Sequence, residues 1–220
     1  DTALRSGDRA AARRAWLPAH LDYERLGAAY GTFGDVADAI DGLPAGLPDG
    51  VRDADFTGFH RIEYGLWHDE STRALARHSG RLVSDTRALV AEFGRERIDP
   101  NDLSLRAHEI MEQSLEFELT GRSDQGSGTS LATARANLDG TRAVLDALRP
   151  VLRGRYRDLP TVDRWLDRVQ DQLDAAHRNG RWTAVTSLSR AERERLNGAV
   201  GELLERLAPV AAIAEVRRSR

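Results

Sequence analysis

The chain has 220 residues, of which 40% are hydrophobic and 30% charged, a composition typical of a folded globular protein. Its formal net charge of -3 provides no basic excess for binding nucleic acid or an anionic membrane. Cysteine is absent, which excludes disulfides, thiolate nucleophiles and iron–sulfur clusters. No apolar run approaches the roughly 20 residues that a membrane-spanning helix needs.

Apolar residues recur mainly at helical spacing, so the sequence predicts a series of helices and no strand. The first helix is predicted over 6–31, kinked or divided at Pro18. The further helices are predicted at 33–41, 55–67, 71–94, 99–119, 131–153, 160–178 and 190–216. A Gly- and Pro-rich loop over 42–50 and a polar, Gly-rich loop over 121–130 separate some of them.

The predicted fold class is therefore all-α, with an up-down helical bundle architecture. We expect one domain over 1–220 that contains two packed four-helix-type bundles, at about 1–120 and 121–220. This architecture bears on function because bundles often hold metal ions between inward-pointing His and carboxylate side chains of facing helices.

His60 and Glu63 are the first candidate metal ligands. Residues three apart share one face of a helix, so an imidazole nitrogen and a carboxylate oxygen can reach the same ion. This donor pair suits Fe, Zn or Cu. Bulky apolar residues surround the pair, and burying an unpaired Glu there would be costly. The spacing alone leaves open a partly buried ion pair or a pair on the helix surface.

A second candidate segment begins at His108 and resembles a zincin motif. Glu112 stands where that motif requires its second His, so a zincin site is excluded. Glu109 and Glu112 remain as a carboxylate pair at helical spacing, which repels unless a cation or an Arg lies between the two groups. A solvated acidic helix face is the equally open alternative.

Other charged residues are ambiguous when taken singly. Glu24 and Asp41 would each ordinarily face solvent, and they could join a mixed nitrogen and oxygen site only if the fold brought them to His60. Four isolated histidines are predicted to face solvent or to cap helix ends: His20, His68, His78 and His177.

The segment 56–67 reads Phe-Thr-Gly-Phe-His-Arg-Ile-Glu-Tyr-Gly-Leu-Trp. It resembles the signature of the imelysin-like family, and within it the EfeO branch of extracytoplasmic iron-uptake components. Matching companions occur in the expected order at 23–24, 33–41, 107–112 and 137–141. The resemblance covers nearly the whole chain.

The resemblance implies two helical bundles and a metal site in a cleft between segments. The ligands that it implies are His60 and Glu63, joined by Glu24, Asp41 and Glu112, with Glu109 as a reserve candidate. The implied metal is iron, as Fe²⁺ or Fe³⁺, and Zn²⁺ or Cu²⁺ would compete in vitro because of the Irving–Williams order.

The resemblance also implies residence outside the cytoplasmic membrane, in the periplasm or at the cell surface, with a secretion signal or lipid anchor beyond this chain. The implied partners are a membrane iron permease and a haem peroxidase of the same uptake system. The sequence departs from the EfeO pattern at 125–131, where a Tyr and an Asp of the family are missing. The departure questions any metal or partner contact made by that loop.

Two other functions remain open alongside iron capture. An imelysin-type metallopeptidase would need a metal-bound water and a general base, for which Glu63 is the candidate. A structural or partner-binding bundle would need neither, and His60 would then be a core histidine. The resemblance to the transport branch favours capture of iron over an enzymatic role.

Overall fold

A computed structural model describes residues 1–27, 33–94 and 99–215 of the chain. The helices are α1 (Thr2–Arg5), α2 (Arg9–Glu24), α3 (Asp35–Asp41), α4 (Gly58–Trp67), α5 (Thr72–Phe93), α6 (Pro100–Gln113), α7 (Ser130–Leu152), α8 (Leu159–Ala175) and α9 (Arg190–Ala214). Single 3₁₀ turns lie at Gly50–Arg52 and Val185–Ser187. The all-α prediction is confirmed.

The N-terminal helix differs from the prediction. A turn over residues 6–8 separates α1 from α2, so the helix predicted over 6–31 begins only at Arg9. Pro18 lies inside α2 without dividing it. The predicted end of this helix, at 28–31, lies outside the described residues.

A short hairpin corrects the expectation that the chain has no strand. Strand β1 (His177–Arg178) pairs antiparallel with β2 (Arg181–Trp182), and helix α8 ends at Ala175 instead of 178. Asn179 and Gly180, with φ of 52° and 73°, form the two-residue connection. An Asn-Gly pair is a strong signal for such a turn, so the sequence did carry the information.

The helix predicted over 99–119 changes its winding before it ends. Helix α6 stops at Gln113, and Ser114–Glu118 continue as a π-helical segment. The wider winding shows in the bond from the Leu119 amide to the Ser114 carbonyl oxygen, five residues back, at 2.9 Å.

The described residues form two compact units of interleaved segments. The first unit contains 1–20, 33–94 and 123–127, and the second contains 21–27, 99–122 and 128–215. The predicted sub-bundle boundary near residue 120 stays a prediction.

The second unit holds a large apolar core made by its four long helices. Helix α6 packs against α7 and α9, and α8 packs against the same two helices. Helical spacing predicts an apolar stripe on α9, and Leu196, Val200, Leu203, Leu207 and Val210 in it are between 0 and 4% exposed, whereas Leu204 is only partly buried.

In the first unit, α4 packs against α3 and α5 and is held at both ends. The Thr57 hydroxyl donates to the Ala39 carbonyl oxygen at 2.9 Å, which ties the start of α4 to α3. Arg9 and Arg13 donate to the Leu66 carbonyl oxygen near the end of α4. These arginines satisfy a carbonyl that the helix leaves without an internal partner.

The described ranges contain no candidate for a membrane-spanning helix. None of their helices combines the length and the apolar composition needed to cross a bilayer.

Candidate metal centre

Three helices of the first unit bring two histidines and one aspartate together. His20 lies on α2, Asp41 is the last residue of α3, and His60 lies on α4. His20 Nε2 is 3.0 Å from Asp41 Oδ1, and His60 Nε2 is 3.8 Å from the same oxygen. One donor atom from each residue lies within 4.8 Å of the others, the one such group of three in the part of the chain that the structure describes.

The cluster is largely buried among aromatic side chains. His20 is 1% exposed and His60 is 5% exposed, whereas the Asp41 side chain retains 17% exposure. The His20 ring centroid lies 4.9 Å from that of Trp16 and 5.3 Å from that of Phe59. Trp16 is fixed in turn, because its indole N–H donates to the Phe59 carbonyl oxygen at 2.9 Å.

The prediction that His20 faces solvent is wrong. His20 follows Trp16 by four residues and Ala12 by eight, and all three side chains are buried on one face of α2. The helical spacing of an apolar stripe could therefore have indicated a buried histidine.

Glu63 is 1% exposed, and both of its carboxylate oxygens contact protein groups. Oε2 lies 3.1 Å from His60 Nδ1. Oε1 accepts hydrogen bonds from the backbone amides of Gln125 and Ser127, each at 3.1 Å. The loop whose sequence departs from the family pattern thus contacts the candidate site through its main chain, a contact that does not depend on the missing Tyr and Asp.

These contacts shift the pKa values of His60 and Glu63. Burial disfavours the charged form of His60, but Asp41 and the hydrogen bond to Glu63 outweigh burial and raise its pKa. Burial likewise disfavours ionised Glu63, but the His60 contacts and the Ser127 hydrogen bond lower its pKa below the ordinary value. The site therefore favours the ionised form of Glu63.

Glu24, a predicted ligand, lies in the second unit and is 5% exposed. With the Asn137 amide oriented by its neighbours, its nitrogen donates to Glu24 Oε2 at 2.8 Å. The Asn137 oxygen then accepts from the Ser114 hydroxyl at 3.2 Å, at the start of the π-helical segment. The side chain of Glu24 is thus part of a buried polar network, and its role as a ligand stays a prediction.

Glu109 and Glu112 also belong to the second unit. Glu109 is ion-paired with Arg106, and its side chain is 42% exposed. Glu112 is 62% exposed, and its Oε2 lies 3.6 Å from His108 Nδ1. These surroundings resemble the solvated acidic face that the sequence left open as an alternative, and ligation by either residue stays a prediction.

The donor set of the first unit suits a transition-metal ion. Bonds of about 2.0–2.2 Å to one ion place neighbouring ligand atoms roughly 3–4 Å apart, the range seen for Asp41 with each histidine. Two imidazoles with one carboxylate are the protein ligands of many non-haem Fe(II) sites, and they leave coordination positions open. The fold and the cluster together define a helical protein with a candidate mononuclear metal centre.

The family model described as Imelysin matches residues 2–210, and the chain belongs to this family. The iron uptake system component EfeO of Yersinia pseudotuberculosis serotype I is 27% identical over 212 residues. The EfeO component of Escherichia coli K12 is 26% identical over the same length. The match covers 96% of this chain but 57% and 56% of these relatives, so the chain spans little more than half of their length.

Proposed function

We propose that this protein captures iron outside the cytoplasmic membrane and passes it to an uptake system. The observation that carries the proposal is the convergence of His20, Asp41 and His60 from three helices on one small volume. The names of the similar EfeO proteins supply the class of process, iron uptake.

The coordination chemistry fits a protein that must both bind and release its cargo. Two imidazoles and one carboxylate bind Fe²⁺ or Fe³⁺ without enclosing it, because an octahedral ion retains free positions for water or an acceptor. The Asp41 side chain retains 17% exposure, although its Oδ1 atom, which faces the histidines, is buried. Zn²⁺ and Cu²⁺ are expected to bind in vitro as well.

The further predictions made from the sequence belong to the same proposal. They are a periplasmic or surface location with a lipid anchor, and a membrane iron permease and a haem peroxidase as partners. We also propose a single domain with two sub-bundles. Glu24, Glu109 or Glu112 would join the ligands in the metal-loaded protein.

Isothermal titration of the metal-free protein tests the site. We expect His20→Ala, Asp41→Ala and His60→Ala each to weaken anaerobic Fe²⁺ binding by at least about 100-fold, because each removes a direct ligand and the loss of an outer-shell partner alone costs about 10- to 100-fold. His177→Ala is the matched control, since this histidine is exposed on the hairpin of the second unit. Fe²⁺ affinity that is unchanged in all three site variants would overturn the proposal.

The geometry gives less support to the metallopeptidase alternative. A general base must reach a metal-bound water, whereas the Glu63 oxygens are directed to His60 and to two backbone amides. Cleavage of casein by the metal-loaded protein, abolished by a chelator and by His60→Ala, would instead establish the enzyme.

A further inference from the structure

We propose that Glu63 is a positioning residue that fixes the tautomer of His60, instead of a direct ligand of the metal. The inference rests on the proposed function, since it assigns His60 Nε2 as the atom that binds the ion. In this proposal the loop over 123–127 also has a role, because two of its backbone amides hold the Glu63 carboxylate in place.

The contact of Glu63 with His60 decides which imidazole nitrogen carries the proton. A carboxylate oxygen can only accept a hydrogen bond, so the contact of Glu63 Oε2 with Nδ1 places a proton on Nδ1. In the neutral ring Nε2 then carries the lone pair, and Nε2 is the atom that faces Asp41. Histidine ligands of metals commonly have their second nitrogen bonded to a carboxylate in this way.

The other oxygen of Glu63 is held by two backbone amides. The backbone amides of Gln125 and Ser127 can only donate, so the position of Oε1 requires an acceptor. Moving the carboxylate to a metal would leave two amide donors without this acceptor next to a buried side chain, which is costly. The two amides therefore keep Glu63 on the Nδ1 side of His60.

The loop over 123–127 is itself held against α4. Gly126 lies between the two donors with a φ of +126°, and a Cβ built on it would lie 2.8 Å from the Trp67 Cβ. The Gly126 amide donates to Asp124 Oδ1 at 2.7 Å. The loop is thus seated directly against α4, one helical turn beyond Glu63, and only glycine permits this approach.

Glu63→Gln tests these contacts, because glutamine has nearly the shape of glutamate but carries an NH₂ group in place of one oxygen. The two amides select the carbonyl oxygen of the new side chain, so its NH₂ group turns towards His60 Nδ1. Because NH₂ donates, Nδ1 must accept, and the proton of the neutral ring moves to Nε2. The ring then presents no lone pair to an ion.

Nitrogen NMR of the metal-free protein, recorded where the His60 ring is neutral, tests this directly. We expect the Nδ1–H tautomer of His60 in the unsubstituted protein and the Nε2–H tautomer in Glu63→Gln, with Zn²⁺ binding weakened about 10- to 100-fold. Retention of the Nδ1–H tautomer in Glu63→Gln would overturn the proposal.

Hydrogen exchange distinguishes a positioning residue from a ligand. The Gln125 and Ser127 amides are expected to stay equally protected before and after loading with Zn²⁺, because Glu63 does not leave them. Exposure of both amides on loading would show that Glu63 moves to the ion and would overturn the proposal. A failure of Zn²⁺ and Fe²⁺ to bind at all would refute the proposed function, while the tautomer measurement would still stand.

A loop variant tests the same chain of contacts without altering any ionisable group. Gly126→Ala is expected to displace the loop from Trp67, to speed exchange of the Gln125 and Ser127 amides, and to weaken the Nδ1–H preference of His60. Gly46→Ala is the matched control, because Gly46 also has positive φ but no atom within 4 Å of an added Cβ. Equal effects of the two substitutions would refute the role of the loop.

Discussion

Gly58 shows how one residue without a side chain shapes the candidate metal centre. It begins α4 with a φ of +77°, and an added Cβ would lie 2.0 Å from the Ile40 carbonyl oxygen. This close approach sets the start of α4 against the end of α3, where Asp41 follows Ile40. The glycine that precedes His60 by two residues therefore helps to place Asp41 beside the histidine.

We predict that Gly58→Ala lowers the free energy of unfolding by at least about 2 kcal/mol, because positive φ alone costs roughly 1–2 kcal/mol for alanine. Steric overlap with Ile40 adds to that cost. Chemical denaturation provides the measurement, and Fe²⁺ titration is expected to show weaker binding. Gly154→Ala, at a site with no atom within 4 Å of the added Cβ, should be nearly neutral. Equal stability of the two variants would contradict the prediction.

Helix α9 begins with a complete capping box. The Ser189 hydroxyl accepts from the Glu192 amide at 3.2 Å, and Glu192 Oε2 accepts from the Ser189 amide at 2.8 Å. The hydrogen bonds from the Ser189 hydroxyl and amide lower the pKa of Glu192 below its ordinary value of 4.5. The cap therefore works best with Glu192 ionised.

A carboxyl group with a lowered pKa stabilises the fold above its unfolded-state pKa, and the contribution is lost as pH falls through the folded-state value. We predict that Glu192→Gln is less stable than the unsubstituted protein at neutral pH, and that the difference shrinks below about pH 4.5. Urea denaturation at several pH values measures it. Glu205→Gln, an exposed position farther along α9, controls for the loss of one carboxylate. A difference that grows on acidification would contradict the prediction.

A bound metal would link three segments of the chain that are distant in sequence. His20, Asp41 and His60 lie on three helices of the first unit, so an ion bound by all three would connect them only in the folded state. Any ligand that binds only the folded state stabilises it in proportion to its affinity and concentration.

We predict that metal at 100 times its Kd stabilises the protein by about 2.7 kcal/mol. For a chain of this size this raises the Tm by roughly 5–10 °C. Thermal melts followed by circular dichroism measure the shift, which a chelator should reverse and His60→Ala should abolish. A Tm unchanged by iron, zinc and copper would instead support a purely structural bundle.

Much of the local structure could be predicted from the sequence. The buried stripe of α9 and the shared face of His60 and Glu63 follow from helical spacing within a single element. The Asn179-Gly180 pair also indicates a hairpin turn, although no strand was predicted there. Such features depend on neighbours a few residues apart, so the order of residues largely specifies them.

The amino-acid sequence was enough to predict the all-α class and, through the segment 56–67, the family, and it marked His60 and Glu63 as candidate ligands. The resemblance already implied Asp41 as a ligand, whereas the place of His20 beside Asp41 and His60 was visible only in the folded protein, because these contacts span about 20 to 40 positions and depend on helix packing. The two backbone amides that hold Glu63 were likewise visible only in the folded protein. Every residue except proline carries a backbone N–H, so the sequence does not show which amides bind a carboxylate.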